Sequence, residues 1–280
     1  MKFHEDQYVG YDGTRMYMCA WLPDDDKPRA LLIAIHGLGS HGQTMKNIGE
    51  YFSQRGLAVL APDMRGFGHY TGRKGHVISF DEYVEDLQNI VMQAKDKYPN
   101  RLTYLFGHSM GALHVIRYVA VYPESVDGIV ISCPGLAERL PVGRMTRLAA
   151  RVLSLMDVKR YVQTKLDFSL ASHDPEVVRA HENDPLRFDK VTPRLGISGL
   201  DAAKKAMRLA KFIRTPALIQ QAGDDRVVVA EKAKEFHDNL ASQDKEWKLY
   251  EGLYHEIHAE IGKERVLEDM EAWLEKRLVS

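Results

Sequence analysis

Cysteine is scarce in this 280-residue chain, which contains only Cys19 and Cys133. Both lie in apolar runs, at residues 16–22 and 129–133, so we expect reduced core residues rather than a disulfide or a metal site. The 12 histidines are scattered, and neither a Cys-x-x-Cys nor a His-Glu-x-x-His spacing of the kind that binds zinc occurs. The sequence therefore predicts no metal ion and no cofactor.

Long apolar runs and a dominant charge are also absent. No stretch of about 18 apolar residues occurs, and residues 1–7 carry no apolar segment behind a basic start. The sequence therefore predicts neither a membrane span nor a signal peptide. The 38 lysines and arginines nearly balance the 39 aspartates and glutamates, so no overall field attracts nucleic acid or a membrane. We expect a cytoplasmic protein without a nucleic-acid partner, with peripheral membrane contact left open.

Apolar strands alternate with amphipathic helices along most of the chain. Two extended segments share residues 8–22 around the hairpin signal Asp12-Gly13. Further strands are predicted at residues 30–35, 57–61, 102–106, 126–132, 215–221 and 247–250. Helices are predicted at residues 45–55, 80–98, 112–122, 231–240 and 264–278. This alternation is typical of an α/β fold with a mostly parallel central sheet flanked by helices.

The alternation is interrupted once. From residue 136 to about residue 210 the pattern is helical, with no convincing strand. This predicts a helical cap inserted after the sixth strand, over the carboxyl ends of the strands, where such sheets bind ligands. The expected organisation is a core at residues 1–135, the cap at 136–210 and the rest of the core at 211–280.

The pattern Gly-x-Ser-x-Gly occurs at Gly107, Ser109 and Gly111, directly between a predicted strand and a predicted helix. A strand that turns sharply into a helix crowds the backbone, which explains a glycine on either side of the serine. This context is that of a nucleophile elbow, whose strained backbone exposes the serine hydroxyl near a helix N-terminus. We predict that Ser109 is a catalytic nucleophile rather than a structural serine in a glycine-rich turn.

A serine hydroxyl needs a base to take its proton and a third group to hold that base. In elbow-type hydrolases the chain order is serine, acid, histidine. Asp224 and Asp225 both follow a late strand, and Asp225 is preferred because it directly precedes Arg226-Val227. His255 and His258 follow the last strand. His255 is preferred as the base for its loop spacing, which makes His258 a surface or supporting histidine.

The tetrahedral intermediate of acyl transfer carries an oxyanion, which backbone N–H groups must stabilise. One donor is expected at Met110, the residue after the nucleophile. The other is expected in the glycine-rich loop 36–39 after the third strand, where we choose the N–H of Leu38. The sequence thus predicts an oxyanion hole built from the backbone of Leu38 and Met110.

These residues resemble a known family. The chain is similar to the cap-bearing serine hydrolases of the α/β-hydrolase fold, and within them to the monoacylglycerol lipase and lysophospholipase-like group. The similar segments are residues 36–41, 62–69, 107–111, 183–186, 223–226 and 250–255. Among them, Asn183-Asp-Pro-Leu186 and Tyr250-Glu-Gly-Leu-Tyr-His255 point most narrowly to this group.

The resemblance implies a triad of Ser109, Asp225 and His255, with the Leu38 and Met110 N–H groups as oxyanion hole. It also implies hydrolysis of a single-chain lipid ester, foremost a monoacylglycerol, through a Ser109 acyl-enzyme. The alternatives are a lysophospholipase, a short-chain carboxylesterase, a peptidase or acyltransferase on the same core, and a ligand-binding relative without turnover. Dehalogenases and epoxide hydrolases are disfavoured, because they resemble this fold with an aspartate at the elbow.

Substrate choice is expected to depend on the cap, in particular on residues 140–156. Apolar side chains, including Leu140, alternate there with Arg144, Arg147 and Arg151. One hypothesis is a helix whose apolar side covers the active site and whose arginines are solvated. The other is an apolar acyl-chain tunnel whose cationic rim makes transient contact with anionic membrane surfaces. The arginines could also meet a phosphate, which keeps a lysophospholipid substrate open.

Overall fold

A computed structural model describes residues 1–139, 143–164 and 167–278. The strands of this part of the chain are β1 (Lys2–Val9), β2 (Arg15–Leu22), β3 (Ala30–Ile35), β4 (Leu57–Pro62), β5 (Leu102–His108), β6 (Gly128–Ser132), β7 (Val162–Gln163), β8 (Lys190–Val191), β9 (Ala217–Ala222) and β10 (Lys245–Tyr250). Eight of them form one sheet in the order β1-β2-β4-β3-β5-β6-β9-β10. Only β1 with β2 and β2 with β4 pair antiparallel in this sheet. The predicted mostly parallel sheet is therefore confirmed.

Helices cover both faces of this sheet. They are α1 (Lys46–Ser53), α2 (Asp81–Lys97), α3 (Met110–Val121), α4 (Arg144–Leu155), α5 (Pro175–Glu182), α6 (Pro193–Leu209), α7 (Ala230–Asn239) and α8 (Lys263–Leu278). On one face Ile33 of β3 packs in a cluster with Leu87 of α2. On the other face its neighbour Leu32 packs in a cluster with Phe52 of α1 and Trp273 of α8. Alternate residues of the central strands thus contribute to two separate core layers.

The first strand is longer than the sequence predicted. The pairing of β1 with β2 begins at Lys2 opposite Leu22, whereas the sequence pattern placed the start of this strand at residue 8. Residues 2–7 are polar or exposed at the edge of the sheet, so they show no apolar alternation. The predicted turn at Asp12-Gly13 does join the two strands, and Gly13 has the φ of 82° that favours glycine.

The chain leaves the sheet between β6 and β9, as predicted, and we call this stretch the inserted segment. It contains α4, α5 and α6, and α6 packs both against α4 and against α3 of the core. The prediction that it holds no strand is wrong, because β7 and β8 pair antiparallel. Strands of two residues are too short to show a period in the sequence. None of the helices in the described residues has the length and apolar character needed to cross a membrane.

The parallel strands end side by side at one edge of the sheet. Ile35 lies opposite Gly107, His108 opposite Ser132, and Ser132 opposite Gln220. The loops that follow β3, β5 and β9 therefore begin next to one another. This register brings the predicted site segments to one place.

Candidate active site

Ser109 stands between β5 and α3 with φ 54° and ψ −116°. This left-handed conformation is strained for a residue with a Cβ. The surrounding backbone holds it, because the Ser109 N–H donates to the Ser132 carbonyl at 3.0 Å and the Gly135 N–H donates to the Ser109 carbonyl at 3.0 Å. The strained elbow that the sequence predicted is present.

The two glycines of the elbow are required by close backbone contacts. A Cβ on Gly107 would lie 2.6 Å from the carbonyl oxygen of Gly111. A Cβ on Gly111 would lie 2.4 Å from the carbonyl oxygen of Ile35. Because both neighbours are backbone atoms, neither contact can be relieved by a side-chain rotation. The two glycines let the elbow turn directly onto the end of β3.

Asp225 follows β9 and is fully buried. Its Oδ1 accepts hydrogen bonds from the Val227 and Val228 N–H groups, each at 2.9 Å. Its Oδ2 accepts one from the amide of Gln221 at 3.1 Å and lies 2.8 Å from Nδ1 of His255. Burial by itself would raise the pKa of Asp225, but His255 and these hydrogen bonds hold it below its usual value. The carboxylate is thus kept ionised beside the histidine.

Asp224 and His258, the alternatives to Asp225 and His255, lie in different surroundings. Asp224 is exposed to solvent in the turn after β9. His258 is buried, so of its two predicted roles the surface one is wrong and the supporting one remains. Its ring packs edge-on against Phe106 and His108, with centroid distances of 5.7 and 4.8 Å. His258 therefore supports the active site through packing, and it also lines the cavity at Ser109.

The loop after β3 reaches the nucleophile. A Cβ on Gly37 would lie 3.2 Å from the Cβ of Ser109, so the backbone leading to Leu38 is in contact with the elbow. Met110 is the first residue of α3, and its N–H belongs to the positive end of the helix dipole. The backbone segments of Leu38 and Met110 thus both adjoin Ser109, and the donor roles of their N–H groups remain predictions.

A small cavity opens between these loops. Its volume is about 50 Å³, and its lining includes Leu38, Ser109, Arg187, His255 and Glu256. Small-molecule sites usually measure about 300–1,000 Å³. The cavity therefore has room for the reacting ester group but not for an acyl chain.

Two carboxylates that the sequence did not single out attach the inserted segment to the loop of His255. Glu260 is fully buried and accepts hydrogen bonds from the Ser172 hydroxyl at 2.9 Å and from the Tyr254 N–H at 3.3 Å. Glu256 lies 3.2 Å from the Nε2 of His181 in α5. Ser172 is 88 residues from Glu260 in sequence, and His181 is 75 residues from Glu256, so no local pattern could have indicated these contacts with the inserted segment.

Four buried histidines near the elbow are held neutral. Burial lowers the pKa of His36 and of His258 to about 4, and it lowers that of His108 and His114 well below the usual value of 6.5. His114 stacks on Tyr83 with a centroid distance of 4.0 Å. Neither of its ring nitrogens has a hydrogen-bond partner among the described residues. Protonation of this ring would place an uncompensated charge in the core.

We expect the protein to lose stability as the pH falls from about 6.5 to about 4. In this range the unfolded chain takes up protons on these histidines and the folded chain does not, so the free energy of unfolding decreases. His36 and His258 alone contribute losses of up to about 3 kcal/mol each. Urea unfolding at several pH values measures the effect. His114→Phe should unfold with a weaker pH dependence, and an unchanged dependence would contradict the assignment of His114.

Helix α4 does not cover the active site with its apolar side, so that hypothesis is wrong. None of its residues is buried, and Met145, Leu148 and Leu155 are all exposed. The reason is that, among the helices and strands of the described residues, α4 packs mainly against α6. Leu140, which the sequence placed in the same helix, lies outside the described residues.

The arrangement of these loops on this sheet identifies the class of the protein. A serine on a strained strand-to-helix turn, with its acid and histidine on later loops of the same sheet edge, is the arrangement of α/β-hydrolase-fold serine hydrolases. The chain belongs to the family described as "Serine aminopeptidase, S33", which matches residues 26–262.

The relatives refine the resemblance seen in the sequence. The chain is 30% identical over 275 residues to a monoacylglycerol lipase of Mycolicibacterium smegmatis, with 98% of each chain covered. It is 30% identical over 258 residues to phospholipase YtpA of Bacillus subtilis, covering 91% of this chain and 99% of that protein. The crystal structure of a monoacylglycerol lipase from Paleococcus ferrophilus superposes with a TM-score of 0.82 at 27% identity, covering 98% of both chains. The predicted similarity to monoacylglycerol lipases is confirmed.

Proposed function

We propose that the protein hydrolyses carboxylic esters of single-chain lipids, with monoacylglycerol as the preferred substrate and glycerol and a fatty acid as products. The observation that carries the proposal is the strained Ser109 elbow beside the buried Asp225–His255 pair, which we call the acid–base pair. The relatives named monoacylglycerol lipase support the choice of lipid.

In the proposed mechanism the unprotonated Nε2 of His255 takes the proton of Ser109 as the Ser109 oxygen attacks the ester carbonyl. The oxyanion accepts hydrogen bonds from the Leu38 and Met110 N–H groups. The C–O bond to glycerol then breaks, and glycerol leaves with the proton from Nε2. Water, activated in the same way, hydrolyses the acyl-enzyme and releases the fatty acid. Asp225 keeps the hydrogen of His255 on Nδ1 throughout.

The inserted segment is the proposed cap, with boundaries near residues 136 and 210. Since the cavity at Ser109 is too small for an acyl chain, entry of the lipid requires part of this segment to move. The end of the segment near His255 is fixed by Glu256 and Glu260. Helix α4 has no buried residue, so packing holds it less firmly than the end near His255.

A peptidase is the main rival, because the family description names an aminopeptidase. Such an enzyme needs acidic groups that are available for the free amine of a peptide. Asp157 of the inserted segment already pairs with Lys159 at 3.3 Å and with Arg194 at 3.4 Å. Glu138 is exposed in the structure, but desolvation by its surroundings raises its pKa, which disfavours its charged form. These two candidates therefore make a poor amine anchor.

An activity panel tests the proposal. It comprises monoacylglycerols from short to long chains, lysophosphatidylcholine, a short p-nitrophenyl ester and an aminoacyl-proline amide. We expect kcat/KM for medium or long monoacylglycerols to exceed the others at least ten-fold, or about 1.4 kcal/mol. A preference for the short ester would reduce the function to a general carboxylesterase, and cleavage of the amide would favour the peptidase. If a phosphonate labels Ser109 but no compound of the panel is hydrolysed, the proposed nucleophile is right and the proposed class of substrate is wrong.

The second hypothesis for residues 140–156 leads to a prediction about membranes. Exposed apolar side chains on α4, with Arg144 and Arg151 beside them, suit the surface of an anionic bilayer. Met145→Gln is expected to reduce binding to anionic lipid vesicles several-fold in a sedimentation assay, without changing hydrolysis of a short soluble ester. The matched control is Met92→Gln, since Met92 is also an exposed methionine on a helix, α2. Equal vesicle binding by both variants would contradict the prediction.

A further inference from the structure

The proposed mechanism makes no use of Cys133, a thiol beside the acid–base pair. Cys133 directly follows β6 and has a left-handed φ of 42°. Its side chain is fully buried, and its Sγ accepts a hydrogen bond from the Ala222 N–H at 3.4 Å. Its own N–H donates to the carbonyl of Gln220 at 2.9 Å. These contacts with β9 hold the thiol next to the loop that carries Asp225.

Cys133, Asp225 and His255 together form a compact set of metal-ligating groups. One ligand atom from each residue lies within 4.8 Å of the other two. Three atoms so spaced share a centre no more than about 2.8 Å from each, so shifts of about 0.5 Å bring them to the 2.0–2.3 Å bonds of zinc. A thiolate, an imidazole and a carboxylate are ligands that this ion accepts.

We propose that Cys133, Asp225 and His255 form an inhibitory site for a thiophilic divalent cation such as Zn²⁺. The inference rests on the proposed function, because it takes Asp225 and His255 as the acid–base pair of the hydrolase. The cation has no part in ester hydrolysis itself.

Inhibition follows from a change of tautomer at His255. Without the ion, Nδ1 donates its hydrogen to Asp225, and Nε2 is free to accept a proton from Ser109. An ion can bind Nδ1 only in the tautomer in which Nδ1 has a free lone pair and Nε2 carries the hydrogen. Binding therefore moves the hydrogen from Nδ1 to Nε2, and Nε2 can no longer accept the proton of Ser109. The Cys133 thiol releases one proton to solvent and binds as the thiolate, with no change of oxidation state.

The chain offers a matched control, because its other cysteine, Cys19, is also fully buried. Hydrolysis of a short soluble ester is measured with increasing Zn²⁺ in the wild type, Cys19→Ala and Cys133→Ala. We expect inhibition reversed by EDTA in the first two, and a half-inhibitory concentration at least ten-fold higher in Cys133→Ala. The same concentration in all three proteins, or no inhibition of the wild type, would overturn the proposal.

Binding can be followed without activity by titration with Cd²⁺, whose thiolate complexes absorb in the ultraviolet. We expect this ultraviolet absorption band in the wild type and in Cys19→Ala, and we expect Cys133→Ala to lack it. If Cys133→Ala does not fold, the band of Cys19→Ala assigns the site, because Cys133 is then the only thiol left. If the wild type shows the cadmium–thiolate band but has no esterase activity, the result counts against the proposed function alone. An active esterase with no band and no zinc inhibition would overturn the metal site alone.

Discussion

Ser109→Ala is expected to lower kcat/KM for ester hydrolysis by at least about 10⁴-fold, which is about 5 kcal/mol of transition-state stabilisation. The reason is that the acyl-enzyme cannot form without the hydroxyl, and the residual rate depends only on substrate binding and the oxyanion hole. The fold should not suffer, because the backbone of Ser109, rather than its hydroxyl, makes the contacts with Ser132 and Gly135.

The matched control for this change is Ser40→Ala. Ser40 also lines the cavity, and its hydroxyl pairs with that of Thr44 at 2.7 Å, so its loss should cost less than about ten-fold in rate. Mass spectrometry after treatment with an alkyl phosphonate should show one adduct on the wild type and on Ser40→Ala, and none on Ser109→Ala. Near-wild-type turnover by Ser109→Ala would disprove the proposed nucleophile.

The elbow and the central strands around it could be predicted because their signals are local. Gly107, Ser109 and Gly111 are neighbours in sequence. Each glycine avoids a clash between a Cβ and the backbone that the turn brings close. The central strands are apolar throughout because both of their faces are covered. Asp225 and His255 could be chosen because loops that follow parallel strands meet at one edge of the sheet.

Features that depend on distant contacts could not be predicted in the same way. The burial of His258 comes in part from the rings of Phe106 and His108, which lie on β5, far away in sequence. The burial of Glu260 comes from Ser172 in the inserted segment. The apolar side of α4 is exposed, yet it gives the same periodic pattern in the sequence as a buried apolar side would. The helical period shows that the helix has an apolar face, and it does not show whether this face points to the core or to solvent. Such features require the tertiary structure.

Asp225→Asn is expected to cost about 10³- to 10⁴-fold in kcat/KM while leaving the fold intact. Oδ1 of Asp225 accepts two backbone N–H groups, so the amide oxygen of an asparagine must take that position. Its NH₂ group then faces Nδ1 of His255, which can only accept a hydrogen bond. The histidine is forced to carry its hydrogen on Nε2, where it cannot take the proton of Ser109.

Asp224→Asn is the matched test of this argument, because the two aspartates are adjacent and only Asp224 is exposed. Its loss of charge should change kcat/KM less than three-fold, in line with a solvated turn residue. Steady-state kinetics on one monoacylglycerol and one short ester, with thermal unfolding as a check on folding, compares the two variants. A greater loss in Asp224→Asn would reassign the acid. Equal and small losses would mean that His255 keeps its productive tautomer without a carboxylate, and that the hydrogen bond from Nδ1 to Asp225 is not what orients the base.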